Sequence, residues 1–354
     1  MTSAATTTET IVRARRRVSG VAPVFAGVLV TALVVWLAIN LEKTPTLFVK
    51  AFLIGITNGS VYALVALGYT LVYGILELIN FAHGDVFMLG GMMSATFMLS
   101  VFHLGTDASP GSLWPALLAS LVISMVFCGV LNASIERVAY RPLRRAPRLA
   151  PLITAIAMSF ILQNVAIAWK GPNYVSLPIN MLPHGIVFRI GHDTYTWDAL
   201  IVVLITAPVL AALVWLVQYT KQGKAMRATA QDREAAAMMG IDVNRTISFT
   251  FLIAGGLAGA AGLIYAVYFT SIRFDQGFQL GLFAFTAAVL GGIGNLPGAV
   301  LGALFIGLAQ SFNNTLGWHA PGSDWTQSIV FSILILILVF RPEGILGERT
   351  PEGG

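Results

Sequence analysis

Charge is what this chain has least of. Only 10% of its 354 residues are Asp, Glu, Lys or Arg, against about 25% in an ordinary soluble domain, while 56% are hydrophobic. That ratio excludes a soluble globular fold. It also excludes a nucleic-acid-binding domain, because the net charge of +5 comes from short cationic clusters beside apolar segments and not from a basic face. Cysteine is nearly absent. The single Cys128 lies inside an apolar run, so no intrachain disulfide forms, the redox compartment stays unread, and a packing role is expected. The short sequences that carry enzyme chemistry are missing too. No G-x-x-x-x-G-K-[S/T] occurs, and the nearest fragment, KQGKAM, lacks the spacing, so nothing here is expected to cradle nucleotide phosphates. Nor is there an H-E-x-x-H, a G-x-S-x-G or a Cys/His cluster at metal-ligand spacing. His184, His192 and Asp193 share one loop and read as solvated. No catalytic residue, metal or cofactor is expected, and the chain does not read as an enzyme.

Barrel-type strands of alternating hydrophobicity are also lacking. What the chain has instead is a series of apolar runs near the roughly 20 residues with which a helix crosses about 30 Å of hydrocarbon. The fold class expected is all-α, a polytopic transmembrane helix bundle with broken or re-entrant segments. Arg13, Arg15, Arg16 and Arg17 precede VAPVFAGVLVTALVVWLAIN, which is too long for a signal-peptide core and lacks a small-x-small cleavage site, so it reads as a retained first span. With that arginine-rich start in the cytoplasm, the spans 21–40, 48–76, 86–104, 114–133, 150–169, 198–218 and 248–270 alternate in direction. The parity places Arg137, Arg141, Arg144, Arg145 and Arg148 inside, together with Lys221, Lys224, Arg227, Arg233 and Arg245. It places the loop 171–197 outside. For the tail RPEGILGER to end inside, the run 274–317 must make two crossings, broken at GGIGNLPG, before a last return at 326–341. The count is about ten spans. The organisation expected is a basic cytoplasmic tail 1–20, a transmembrane domain 21–341 with a cytoplasmic segment 221–245, and a cytoplasmic tail 342–354.

Gly, Asn and Pro at GGIGNLPG free backbone groups that must be buried in protein or face a wet cavity, so Gly292, Gly294 and Asn295 are expected to flank a route. ELINFAHGDVFMLGG (77–91) is a second polar interruption and contains Asn80. Two readings stand for its ionisable trio Glu77, His83 and Asp85: loop structure, with Asp85 capping the third span, or a cytoplasmic gate. An ion-coupled secondary transporter would carry ionisable groups deep within its spans, and few are present. Neutral polar residues do occur there: Asn58, Ser60 and Tyr62, then Thr154, Ser159, Gln163 and Asn164, then Asn313 and Asn314. They are candidates for the route, and the same residue types also join neighbouring helices by hydrogen bonds. Gly55/Gly59, Gly255/Gly259, Gly277/Gly281 and Gly298/Gly302 follow G-x-x-x-G spacing and are read as packing.

ATAQDREAAAMMGIDVNR (228–245) is the long polar stretch between two apolar runs. Strong helix formers from Lys224 to Met239 predict one helix, Gly240 its end, and Asp242 the cap of the next. The solvent face of that helix would carry Arg227, Gln231, Asp232, Arg233 and Glu234, while Ala235, Ala236 and Ala237 leave a smooth surface that fits a partner's groove. A plain solvated loop helix is the other reading.

The fragment AQDREAAAMMG resembles the cytoplasmic coupling motif of ABC importer permeases, in which a short helix docks onto the ATP-hydrolysing subunit. More specifically, NGSVYALVALGYTLVYGILELINFAHGDVFMLGG, SIERVAYRPLR, AQDREAAAMMGIDVNR, AAVLGGIGNLPGAVLGA and RPEGILG together resemble the LivH-type permease of high-affinity branched-chain amino-acid importers, in the family's order over about 48–347. Residues 1–47, with their extra span, are not part of the usual start. The resemblance implies that Asp232, Glu234, Ala235, Ala236 and Gly240 couple the chain to an ATPase subunit. It implies a second permease subunit, identical or different, cytoplasmic ATP-binding subunits, an extracytoplasmic solute-binding protein and a multi-pass place in the bacterial inner membrane. Small amino acids, branched-chain ones above all, are the implied cargo, with urea, amides and other small polar solutes carried by relatives.

Overall fold

Apolar length dictates most of this architecture, because a backbone crossing hydrocarbon must satisfy its own N–H and C=O groups, and a helix does so within one segment. The computed structural model of the protein describes residues 27–28, 30–76, 80–105, 110–144, 146–147, 149–178, 185–191, 193–341 and 343–347. Helices follow one another as α1 (30–43), α2 (Pro45–Leu76), α3 (Ala82–Thr96), α4 (Pro110–Ile135), α5 (Leu149–Lys170), α6 (Trp197–Tyr219), α7 (Lys221–Gln231), α8 (Arg233–Met238), α9 (Val243–Tyr268), α10 (Gln276–Gly291), α11 (Leu296–Thr315) and α12 (Thr326–Phe340). A π turn at Phe97–Val101 prolongs α3, and another at Glu136–Tyr140 prolongs α4. Among the described residues, 8 helical segments are long and apolar enough to cross a membrane, and α10 is a shorter apolar helix. With α1 and α10 they fall on the ten apolar segments read from the sequence. The basic tail 1–20 and residues 348–354 lie outside the described residues.

Helices α2, α3 and α9 form the centre, while α5, α6 and α12 lie on the periphery with their apolar side chains largely exposed. Hydrocarbon tails are as apolar as leucine, so close backbone approach has to supply much of the association. All four G-x-x-x-G pairs do this. Gly55 and Gly59 lie on α11 beside Gly307, Gly255 and Gly259 on α4 beside Cys128 and Ser124, Gly277 and Gly281 on Gly84 of α3, and Gly298 and Gly302 on Gly291 and Ala287 of α10. A Cβ at Gly59 would stand 2.8 Å from the Cα of Leu304. Cys128 is buried with its thiol 3.3 Å from the Val86 carbonyl, the packing role expected of it.

Caps and turns set the element boundaries. Helix α3 begins at Ala82, four residues before 86, directly after the turn residue Phe81. Helix α9 begins at Val243, where Asp242 caps it as expected, its carboxyl accepting from the Arg245 N–H at 3.0 Å. The loop 171–197 contains strands: β1 (Val175–Ser176) pairs with β4 (Ser271–Ile272), and β2 (Ile186–Ile190) with β3 (Asp193–Thr196). Asp193 opens β3, whereas His184 and His192 lie outside the described residues.

The bundle has two unlike ends. At one, the last turn of α2 meets α8, Arg144 after α4 meets Asn244 on α9, and residues 343–347 meet the end of α10. At the other, Leu177 donates to Thr270, Gly191 lies against Thr46, and Trp318 pairs with Asn40. The segments that the arginine count puts in the cytoplasm thus share an end, as do those it puts outside.

Candidate functional site

The arginine-rich end is built around the polar stretch after α6. Thr220 is extended and caps α7, its hydroxyl accepting from the Gly223 N–H at 3.0 Å. Helix α7 then buries Gly223, Met226 and Thr229. The single helix expected over Lys224–Met239 is in fact two. Asp232 is extended and caps α8, its Oδ1 accepting from the N–H groups of Glu234 at 2.8 Å and Ala235 at 3.0 Å. An aspartate that satisfies two otherwise orphaned donors outweighs the helix propensity around it. Gly240 has φ +82, the left-handed conformation that glycine enters without a Cβ penalty, and Asp242 starts α9 two residues later. The result is an elbow of two helices clamped by three polar caps. Ala236 is buried against the bundle, Ala235 is half-buried, and Asp232, Glu234, Ala237 and Gly240 are exposed. Met238 and Met239 stand out at 81% and 83% exposure.

Arg227 is exposed, as the helix pattern suggested, and Arg233 is half-buried, yet both guanidiniums bond to the bundle. The Arg227 guanidinium donates to the carbonyls of Val217 and Gln218, the latter at 3.1 Å, and that of Arg233 donates to the Ile75 carbonyl at 3.0 Å. Behind the elbow, buried Glu136 accepts from Arg144 and from the Ser248 hydroxyl at 2.6 Å, and Arg144 also donates to Asn244 Oδ1 at 2.7 Å. Burial pulls the Arg144 guanidinium below its ordinary value, and the Glu136 carboxylate opposes that shift.

A buried polar cluster surrounds the α2–α3 turn. Asn80 Oδ1 accepts from the Tyr140 hydroxyl at 2.6 Å, and Asp85 accepts from Ser159 of α5, to which Gln163 donates at 3.3 Å. Asp85 is therefore not a cap. It lies in the first turn of α3, whose N-cap Phe81 makes no side-chain bond, and its carboxyl turns to α5. His83 is fully buried, edge-on to Tyr69 at 5.0 Å and pressed on Gly68. Asn58 Oδ1, Asn80 Nδ2, both His83 ring nitrogens and Asp85 Oδ1 are buried with no protein partner. Glu77 lies outside the described residues.

The other route candidates divide. Ser60, Thr154 and Asn164 bond to their own helix backbone four residues back, at 2.8, 2.9 and 2.8 Å. Asn313 and Asn314 bind Thr326 and so join α11 to α12. Tyr62 donates to Gln310 on α11, a residue that no local pattern marks, since 248 positions separate the two. The GGIGNLPG break is real. Gly292 and Gly294 have φ +102 and +96, and Asn295 caps α11 by accepting from the Gly298 N–H at 2.9 Å while donating to the Leu346 carbonyl at 2.9 Å. Gly294 and Asn295 join Thr70, Gly74, Gln218 and Arg227 in a cavity of about 360 Å³ beside the elbow. Gly292 does not line it, being covered by Gly344 and Gly347. The candidates form three clusters instead of one pocket, and no group of three potential metal ligands occurs among the described residues.

Residues 51–339 match the family described as branched-chain amino acid transport system / permease component. The high-affinity branched-chain amino acid transport system permease protein BraD of Pseudomonas aeruginosa is 39% identical over 301 residues, 84% of this chain and 95% of BraD. The corresponding LivH of Escherichia coli is 37% identical over 310 residues, 86% of this chain and 97% of LivH. The autoinducer 2 import system permease protein LsrC of Salmonella paratyphi B is more distant, 26% identical over 258 residues, 70% of this chain and 68% of LsrC.

Proposed function

The chain belongs to the branched-chain amino acid transport permease family, and from that membership we propose that its cytoplasmic elbow is the seat of an ATPase subunit that drives amino-acid import. The protein is a multi-pass permease of the bacterial inner membrane and a subunit of an ABC importer. Its cargo is a small amino acid, leucine, isoleucine or valine, taken inward by alternating access. The observation that carries the docking role is the elbow itself. A short helix capped at Asp232, closed at Gly240 and continuous through Asp242 with the central span α9 is stiff enough to pass a push from a partner into the bundle. Asp232, Glu234, Ala235 and Gly240 make the seat, buried Ala236 holds it on the bundle, and exposed Met238 and Met239 add adaptable apolar contact.

The remaining partners are a second permease, identical or different, and an extracytoplasmic solute-binding protein. ATP is bound by the separate subunits and not by this chain. For the route, the partnerless buried atoms of Asn58, Asn80, His83 and Asp85 support a passage in which a polar solute meets them. Tyr62, Gln163, Gly294 and Asn295 are assigned to its walls, Gly292 to the turn behind them, and Ser60 and Asn164 to its flanks. Uptake assays in a strain lacking the native importer test the cargo with labelled leucine, isoleucine, valine, urea and amides. Branched-chain amino acids should compete with one another and accumulate. Accumulation of urea or an amide alone would assign the chain a different cargo.

A further inference from the structure

The elbow holds two arginines that each hydrogen-bond to carbonyls of a neighbouring span. The break at Asp232 divides the elbow into α7 and α8, and each piece sends one guanidinium to a different span. From α7, Arg227 donates to Val217 and Gln218 at the end of α6, and from α8, Arg233 donates to Ile75 at the end of α2. Val217 and Gln218 lie in the last turn of α6, where no intrahelical donor is available and the helix dipole favours a cation, and Ile75 lies next to Leu76, the last described residue of α2. Arginine keeps its charge at any physiological pH and offers several donors in one plane. Such a link holds through a movement that would strain a single neutral hydrogen bond.

We propose that Arg227 and Arg233 are positioning residues that convert motion of the elbow into separate displacements of α6 and α2. This rests on the docking role of the elbow given above. The two spans differ in kind: α6 is peripheral, whereas α2 is central and packs Gly68 and Tyr69 against His83 of the buried cluster. The Arg233 link thus addresses the cluster, and the Arg227 link addresses the wall of the cavity shared with Gly294 and Asn295. Extended Asp232 between them sets the two pieces apart, so that each addresses its own span.

The test is the number of leucine molecules transported per ATP hydrolysed by the complete complex in proteoliposomes. Arg233→Ala and Arg227→Ala should each keep the ATPase subunits and their hydrolysis but lower that ratio about tenfold, the scale set by one hydrogen bond to a charged group. Arg233→Lys should recover part of the loss, because an ammonium reaches the carbonyl with fewer fixed donors. If Arg233→Ala does not assemble, the same ratio read on Arg233→Lys, below native, supports the link. A purely structural cap would lower the thermal midpoint of the complex and leave the ratio native. That result in both alanine variants overturns the proposal, as does failure of all three variants to assemble. An Ala235→Trp complex with full substrate-stimulated hydrolysis would instead refute the docking role, whatever the arginine variants do.

Discussion

Ser159 of α5 donates its hydroxyl hydrogen to Asp85 of α3, joining a peripheral helix to a fully buried carboxyl. The hydrogen bonds of Thr154 and Asn164 on α5 close on the helix's own backbone, so this contact specifies where α5 sits. Ser159→Ala leaves Asp85 without that donor and should destabilise the permease by about 1–3 kcal/mol, the penalty of an unmet buried polar group. Ser159→Thr, which keeps the hydroxyl, should lose less. Thermal unfolding of the detergent-solubilised protein reads the difference, and an unchanged midpoint in the alanine variant would count against the contact.

The glycines of the α10–α11 turn should respond unequally. A Cβ on Gly292 would stand 2.7 Å from the Cα of Gly347, whereas one on Gly294 meets nothing within 4 Å. Both have positive φ, so each alanine variant bears backbone strain of about 1–2 kcal/mol, but Gly292→Ala must also dislodge residues 343–347. Uptake and proteolysis of the tail should report greater damage from Gly292→Ala than from Gly294→Ala. Equal effects would mean that the tail contact is incidental.

Sidedness follows from the arginines and is open to labelling. In a Cys128→Ala background, Ser176→Cys should react with an impermeant maleimide on intact spheroplasts. Thr350→Cys should react only after permeabilisation. Labelling of both from outside contradicts the ten-span arrangement.

The spans were legible because hydrocarbon demands long apolar runs, and the small-residue pairs because lipid leaves packing to close backbones. What escaped the sequence was tertiary. Asp232 sits among strong helix formers, and only its capping bonds reveal the break. Asp85 had the position of a capping residue until α5 supplied Ser159. Arg227 and Arg233 belong to a solvent face by periodicity, and Arg227 stays exposed, yet both guanidiniums reach carbonyls of α6 and α2 that no local pattern marks. The β2–β3 hairpin did have a local signal: Gly191, with φ +62, stands between short runs rich in Ile, Val, Phe, Tyr and Thr. The Tyr62–Gln310 pair had none.

Gly240→Val tests the elbow's closure. A β-branched residue resists φ +82, so the variant should insert and bind its partners but lose the rigid join to α9. Uptake should fall by about tenfold or more, as expected when a coupling of 1–3 kcal/mol is lost. Gly240→Asn, which tolerates the left-handed region, should retain most of it. Equal loss in both variants would point away from backbone conformation as the cause.

The most direct measurement of the central claim is leucine uptake into proteoliposomes holding either the complete complex or this permease without its ATPase subunits, with the solute-binding protein supplied outside. The account predicts uptake only in the complete complex and only with ATP on the elbow's side, and it predicts that Ala235→Trp abolishes uptake and substrate-stimulated hydrolysis together. Leucine accumulation by the permease without its ATPase subunits, driven by an ion gradient and indifferent to ATP, would contradict it.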